Sequence, residues 1–340
     1  MSNNEKSINV KRHVSLITSS YRIEVLTPMF LGGADQNAEL RAAPFRNGLR
    51  TFWRLANKQA DIKLESEIFG RVHGNQASKS FVQVQVIEIR NEFYQRDYEM
   101  GLGTMQNKEA RNGQVSRAAY LGMGPVHFNG KFTKTAFMPS STFELRIRYP
   151  KQYDDIMKKT ISLFLQFGAL GSRARNGWGS FQATPINGSP LLTVDELYKL
   201  FGLDYKSIIK NGKKYPNALG LQNNRRCLWK IGEFNSGNAA LTKVAEEYMK
   251  FKQHFPMQAG GPHDRHLLGF PLTNHHLADR NARMPSQFRI FVKRENNNVV
   301  CYLHHIPHTI SSELLARFDV NTQIQIFDKA HMYLNNLFNQ

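Results

Sequence analysis

An α+β fold is predicted for this 340-residue chain, and three observations predict it. Segments of apolar–polar alternation are interspersed with segments of helical spacing. The first half runs strand, helix, strand, strand, helix, strand. A β-α-β-β-α order is traceable again in the second half. The first order is the ferredoxin-like (RRM-like) arrangement, an antiparallel sheet with two helices on one face. Two such domains with antiparallel sheets and long inserted loops are expected, over residues 1–185 and 186–340. A linker follows Pro185 and contains Asn187-Gly188-Ser189-Pro190.

Taken in order, residues 1–15 read as a polar lead-in, and 21–26 alternate as a half-buried strand that ends at Thr27-Pro28. A loop with Gly32 and Gly33 leads to a helix over 45–58, with Pro44 at its start, where a missing N–H costs nothing. A second helical turn over 65–69 stops at Gly70, and 81–89 is the clearest strand in the chain. From 90 to 131 no period is sustained. This stretch carries Lys108, Arg111 and Arg117 among several glycines and reads as a long insertion, either lying along a nucleic acid or looping through solvent.

Regularity returns with a strand over 142–149, a helix over 153–167, a glycine-rich loop and a strand over 178–184. In the second half a connecting helix is expected over 194–201, a strand over 227–234, a helix over 239–255 and a short strand over 267–272. A hairpin over 288–292 and 299–303 turns at Asn296-Asn297-Asn298, and a last helix covers 322–338.

Lys plus Arg number 45 against 27 Asp plus Glu, leaving a net charge of +18, so an acidic partner is expected and nucleic acid is the leading candidate. No long basic amphipathic helix argues for a membrane surface, and apolar runs such as 161–165 are too short to cross a bilayer. Only Cys227 and Cys301 occur. No disulfide framework or CxxC pair is therefore present, which fits a reducing cytoplasm, and the polar first twelve residues do not resemble a signal peptide.

Two stretches carry binding chemistry. In residues 168–181 four glycines enclose Arg173, Arg175, Asn176 and Trp178. Glycines permit close backbone approach and arginine forks match phosphate oxygens, while Trp178 between Gly177 and Gly179 is placed to stack on a base. The plainer alternative is a helix C-cap whose arginines are solvated and whose tryptophan is core. In the first helix Arg46, Arg50, Arg54 and Lys58 recur every four residues over roughly 18 Å. Phe45, Leu49, Phe52, Trp53 and Ala56 form the adjacent apolar side, with Trp53 read as core. No carboxylate within 45–59 pairs with the cations, so the row reads as a phosphate rail beside which the glycine loop is presented.

With these residues in view, several segments resemble the RAMP superfamily of CRISPR-associated proteins, and within it the first-numbered RAMP subunits of the Cmr (type III-B) effector complex. The segments are 27–34 (TPMFLGGA), 39–41 with 52–54, 67–70 (EIFG), 120–125 (YLGMGP), 170–181 and 283–286 (RMPS). The resemblance adds Gly32, Gly33, Arg41 and Arg283 to the expected RNA-binding set of Arg46, Arg50, Arg54, Arg173, Arg175, Asn176 and Trp178. It implies a non-catalytic subunit without cofactor or metal that holds the crRNA 3′ region and helps engage target RNA, beside other Cmr-complex subunits. Some RAMP relatives cut precursor crRNA with a histidine. That makes His263-Asp264-Arg265-His266, His275-His276 and His304-His305 the groupings to weigh for a nuclease, or for a metal at His263 and His266; a structural scaffold is the third possibility.

Overall fold

The computed structural model describes residues 15–33, 35, 37–57, 61–73, 76–257, 263–270, 284–310, 314 and 318–338. Strand β1 (Leu16–Val25) leads to helices α1 (Ala42–Ala56) and α2 (Ile62–Phe69), the small hairpin β2 (Arg71–His73) and β3 (Gln76–Ser78), and then β4 (Gln83–Arg90). Between β4 and the next long strand come β5 (Phe93–Tyr94), β6 (Thr104–Gln106), β7 (Gln114–Ser116), α3 (Arg117–Gly122) and β8 (Ala136–Phe137). Strand β9 (Thr142–Pro150), helix α4 (Asp154–Phe167) and strand β10 (Phe181–Asn187) complete an antiparallel sheet of order β10-β1-β9-β4.

Strict alternation explains that sheet. In β9, Phe143, Leu145, Ile147 and Tyr149 are buried while Arg146 and Arg148 are exposed. The register sets Leu145 opposite Tyr21 and Phe143 opposite Ile23, so one face is continuously apolar. Helices α1 and α4 cover it through Phe45, Leu49, Phe52 and Trp53 on the first and Ile161, Phe164 and Leu165 on the second. Phe45 meets Phe143 edge-on at 5.4 Å. Burial of side chains this size is worth about 2–3 kcal/mol each. The helices cross closely at Gly48, where a Cβ would lie 2.4 Å from the Phe164 ring.

The second half opens with α5 (Val194–Phe201), started by a capping box between Thr193 and Glu196. Next come β11 (Gly202–Asp204), α6 (Tyr205–Lys210), β12 (Leu219–Gln222) and β13 (Arg225–Arg226). Strand β14 (Leu228–Phe234), helix α7 (Gly237–Gln253), the hairpin of β15 (Phe288–Glu295) and β16 (Asn298–His305), and helix α8 (Val320–Phe338) follow. Strands β14, β16 and β15 form a three-stranded antiparallel sheet, and the hairpin turns at Asn296, whose φ is 53°.

The structure corrects two expectations. In place of a strand starting at Leu267, a 3-10 turn spans Asp264–Leu268 and ends at Gly269, where φ is 122°. The 90–131 stretch is not a solvent excursion. Its Tyr94, Met105, Leu121 and Val126 join one apolar cluster with Leu241, Phe251 and Phe288 of the second half. Two ion pairs add to this junction: Arg117 to Glu246 at 2.5 Å and Arg265 to Glu109 at 2.6 Å. A second cluster gathers the first sheet with Leu197, Tyr198, Phe201, Leu228 and Phe291. Each half therefore completes an interior of the other. Lys293 spans the junction, donating to Leu165 O (2.6 Å) near the C-terminus of α4 and to Phe181 O (2.9 Å). Its burial lowers the ammonium pKa to about 7.

Candidate functional site

The glycine loop is held from behind by the segment after β1. Ser172 N donates to Phe30 O (3.0 Å), Gly179 N to Pro28 O (2.9 Å) and the Thr27 hydroxyl to Gly177 O (2.7 Å). These bonds draw the backbones so close that glycine is required. At Gly171, φ is 90° and a Cβ would lie 2.6 Å from Phe30 O; at Gly179, φ is 65° and a Cβ would lie 1.8 Å from Leu170 O. A third motif, 120–125, joins from the side. Arg173, itself at φ 61°, donates Nε to Met123 O (2.7 Å), and Asn176 donates Nδ2 to Leu121 O (2.8 Å). Arg175 donates Nη1 to Ser286 O at 3.0 Å, tying in the 283–286 motif. Arg283 itself, with Lys58 and the pair His275-His276, lies outside the described residues.

Trp178 does not face solvent, which corrects the expectation that it stacks on a base. It is 0% exposed and packs against Phe30 (5.3 Å) and Phe132 (5.9 Å). The reason is the 90–131 insertion, folded onto the second half: its Gly122 lies against the Trp178 ring, and Phe132, the residue next after it, packs on the same ring. Trp53 is core, as expected.

The arginine row on α1 is likewise divided. Arg50 Nε reaches Glu65 Oε1 at 2.5 Å, and Arg54 reaches the same carboxylate with Nε at 2.8 Å and Nη2 at 2.7 Å. Arg54 also lies over the Tyr215 ring at 5.9 Å. The row is therefore not an unpaired rail, because α2 supplies the carboxylate that α1 lacks. Burial of Glu65 opposes its ionisation, and the hydrogen bonds from Arg54 and Arg50 overcome that, holding its carboxyl below the usual range. Arg46 is exposed and has no ion pair among the described residues. Arg41, exposed at the N-cap of α1, donates Nη2 to Gly32 O at 2.5 Å, and Gly33 N donates to Asn37 O at 2.7 Å in the same loop.

Between one face of α1 and the glycine loop lies a cleft of about 500 Å³. Arg41, Asn47 and Thr51 line one side and Ser172, Ala174 and Arg175 the other, with apolar walls from Phe52 and Phe164. No carboxylate lines it among the described residues. Arg46 and Arg173 are exposed on the same two elements. Loop and helix are thus brought together as expected, but along the face of α1 that carries Pro44, Asn47, Gly48 and Thr51 and not the one that carries Arg46, Arg50 and Arg54.

Sequence reasoning missed Arg289 of β15, which also lines the cleft. Its signal was a lone cation inside the apolar run Phe288-Arg289-Ile290-Phe291-Val292.

The described histidine groupings lie in the interior. His263, His266, His304 and His305 are each at most 3% exposed. Burial pushes His304 down to about 3 and His305 well below its usual value, so both are neutral near pH 7. Cys227, His305 and His331 bring ligand atoms within 4.8 Å of one another, and no fourth His, Cys or carboxylate joins them among the described residues. His305 Nδ1 and His331 Nε2 instead share a 2.8 Å hydrogen bond.

Residues 22–182 match the sequence profile of the RAMP superfamily. No curated protein sequence matches the chain. Among solved structures, the chain is similar to the apo crystal structure of Cmr1 from Pyrococcus furiosus at 13% identity and a TM-score of 0.47, covering 92% of this chain and 97% of that one. It is also similar to a chain of a cryo-EM structure of the type III-B Cmr-beta complex bound to cognate target RNA. There the identity is 12% and the TM-score 0.45, over 93% of this chain and 100% of that one.

Proposed function

We propose that this chain, whose residues 22–182 match the RAMP superfamily profile, is a non-catalytic RNA-binding subunit of a type III-B CRISPR (Cmr) RNA-guided effector complex in the cytoplasm. In this role it holds the crRNA 3′ region, helps engage target RNA and contacts neighbouring Cmr subunits. We read the βαββαβ first sheet with its two helices as a ferredoxin-like unit, and residues 186–340 as a second one.

The observation that carries this reading is the cleft beside α1. Three arginines line it with no carboxylate among the described residues, and Arg46 and Arg173 stand exposed on its two flanking elements. Such a surface suits a phosphate backbone, and sequence specificity then falls to guide pairing. The net charge of +18 points the same way. Burial and neutrality of His304 and His305 support binding over cleavage, because a general acid–base pair must reach the RNA. No described helix is long and apolar enough to cross a membrane.

The test is a salt titration of affinity for a single-stranded crRNA. The double change Arg46→Ala with Arg173→Ala is expected to weaken binding about tenfold or more and to make the log K against log salt slope shallower by about 1.4, for two lost phosphate contacts. Unchanged affinity and slope would replace binding by a scaffold role. A unique EDTA-resistant product from repeat RNA, lost on a His→Ala change, would replace it by crRNA processing.

A further inference from the structure

Arg175 and Arg289 meet at the cleft without a counter-charge among the described residues. Ile290 N donates to Arg175 O at 2.7 Å and Asn176 bridges Ile290 in parallel register, so the glycine loop runs as a short strand along β15 and the two arginines come from adjoining backbone. Arg175 spends one donor on Ser286 O. The Arg289 side chain makes no hydrogen bond among the described residues, and its Nε is buried.

The neighbours do not neutralise this pair. Across the β15–β16 ladder Arg289 stands opposite His304, and burial holds His304 and His308 neutral with pKa values of about 3 and 4, Arg289 pushing both further down. Tyr248 lies beside Arg175. Burial lowers the pKa of both guanidiniums. Arginine nevertheless stays protonated in proteins. Two partly desolvated cations facing one another are unfavourable unless an anion joins them.

We propose that Arg175 and Arg289 form an oxyanion pocket that receives one phosphate group, their forks supplying donors that the described residues leave unused. Within the bound RNA this group is a single backbone phosphodiester drawn below the rim of the cleft; that identification rests on the RNA-binding reading, whereas the pocket itself does not. The cleft volume of about 500 Å³ exceeds that of a phosphate, and its Phe52 and Phe164 wall leaves apolar room for the attached nucleoside.

The experiment compares the full chain with Arg289→Met and Arg289→Lys in two assays. The first is thermal melting in sodium phosphate against sodium chloride at equal ionic strength, and the second is RNA affinity against salt. Phosphate is expected to raise the wild-type Tm by about 3 °C over chloride. Arg289→Met should melt no lower than wild type in chloride and lose the phosphate response. It should also bind RNA about tenfold more weakly, with a slope shallower by about 0.7. Arg289→Lys keeps the charge without the fork and should lose at least half of the phosphate response, which decides the matter if the Met variant does not fold.

A phosphate response of wild-type size in either variant overturns the pocket. So does the absence of a response in the wild type, even if RNA still binds. An Arg289-dependent response to phosphate in a chain that binds no RNA would overturn the proposed function and leave the pocket standing.

Discussion

Arg46 and Arg50 stand one turn apart on α1, yet Arg50 is drawn onto Glu65 while Arg46 stays exposed with no ion pair among the described residues. The face of α1 that carries Asn47, Gly48 and Thr51 lines the cleft beside the glycine loop, and Arg50 and Arg54 on another face meet Glu65 of α2. Residue type and spacing are the same for Arg46 and Arg50. What differs is the element on the other side, and that element decides whether a cation serves the fold or is left for a ligand. The glycine loop is partitioned in the same way: Arg173 lies outside, and Trp178, five residues on, is sealed under Phe30 and Phe132.

This partition can be broken experimentally, and the largest effect is expected at Trp178. Trp178→Ala should destabilise the chain by about 4 kcal/mol, the usual scale for emptying a buried aromatic site, measured by denaturant melting. RNA affinity of the folded fraction should stay within about twofold of wild type. A stable variant that loses RNA affinity tenfold would return Trp178 to the interface.

Next comes Glu65→Gln. Removing a buried carboxylate's charge from two arginines costs about 3–5 kcal/mol where all partners are buried. Here Arg50 and Arg54 are 35% and 39% exposed, so solvent screening reduces the expected loss to about 2 kcal/mol. The freed cations should tighten non-specific RNA binding and steepen its salt slope. The pH dependence follows from the sign of the shift. The folded-state pKa of Glu65 is depressed, so its contribution is present above the ordinary carboxyl range and is lost as pH falls below it. His304, His308 and His331, with folded pKa values of about 3, 4 and 3, impose an earlier loss on both proteins. Their neutral buried forms stabilise above pH 6.5, and stability declines from there toward pH 4. Wild type and Glu65→Gln should therefore decline in parallel at first and converge only below about pH 4. A gap that does not narrow as pH falls through the carboxyl range, over the interval in which both proteins stay folded, would show that Glu65 does not act through its charge.

The smallest effect separates Arg46 from Arg50 directly. Arg46→Ala should leave stability within about 0.5 kcal/mol and weaken RNA binding about fivefold. Arg50→Ala should do the reverse, costing about 1 kcal/mol of stability with little change in affinity. Equal losses of affinity in the two variants would restore the continuous rail.

Much of the first half was legible because alternation and helical spacing are local. The face of β9 with Phe143, Leu145 and Ile147, the core role of Trp53, and the helix after β1 all follow from side-chain direction along one element. The 264–268 turn was misread because a short apolar run such as 267–268 fits a strand or a turn equally well, and burial by distant segments settles which. The insertion was unreadable for a related reason: its strands are two or three residues long, too short to show a period.

For the site, the chain by itself determined the inventory. It specifies glycines where the 27–33 and 168–180 backbones must touch, arginines at helical intervals, an excess of positive charge and the RAMP signature of residues 22–182. Tertiary structure alone decided the allotment. It placed Glu65 under Arg50 and Arg54, laid Phe132 over Trp178, and brought Arg289 from more than a hundred residues away to stand beside Arg175. The physical reason is range. Backbone geometry and side-chain direction are set within a few residues, whereas desolvation and Coulomb pairing depend on which remote segment arrives at each side chain.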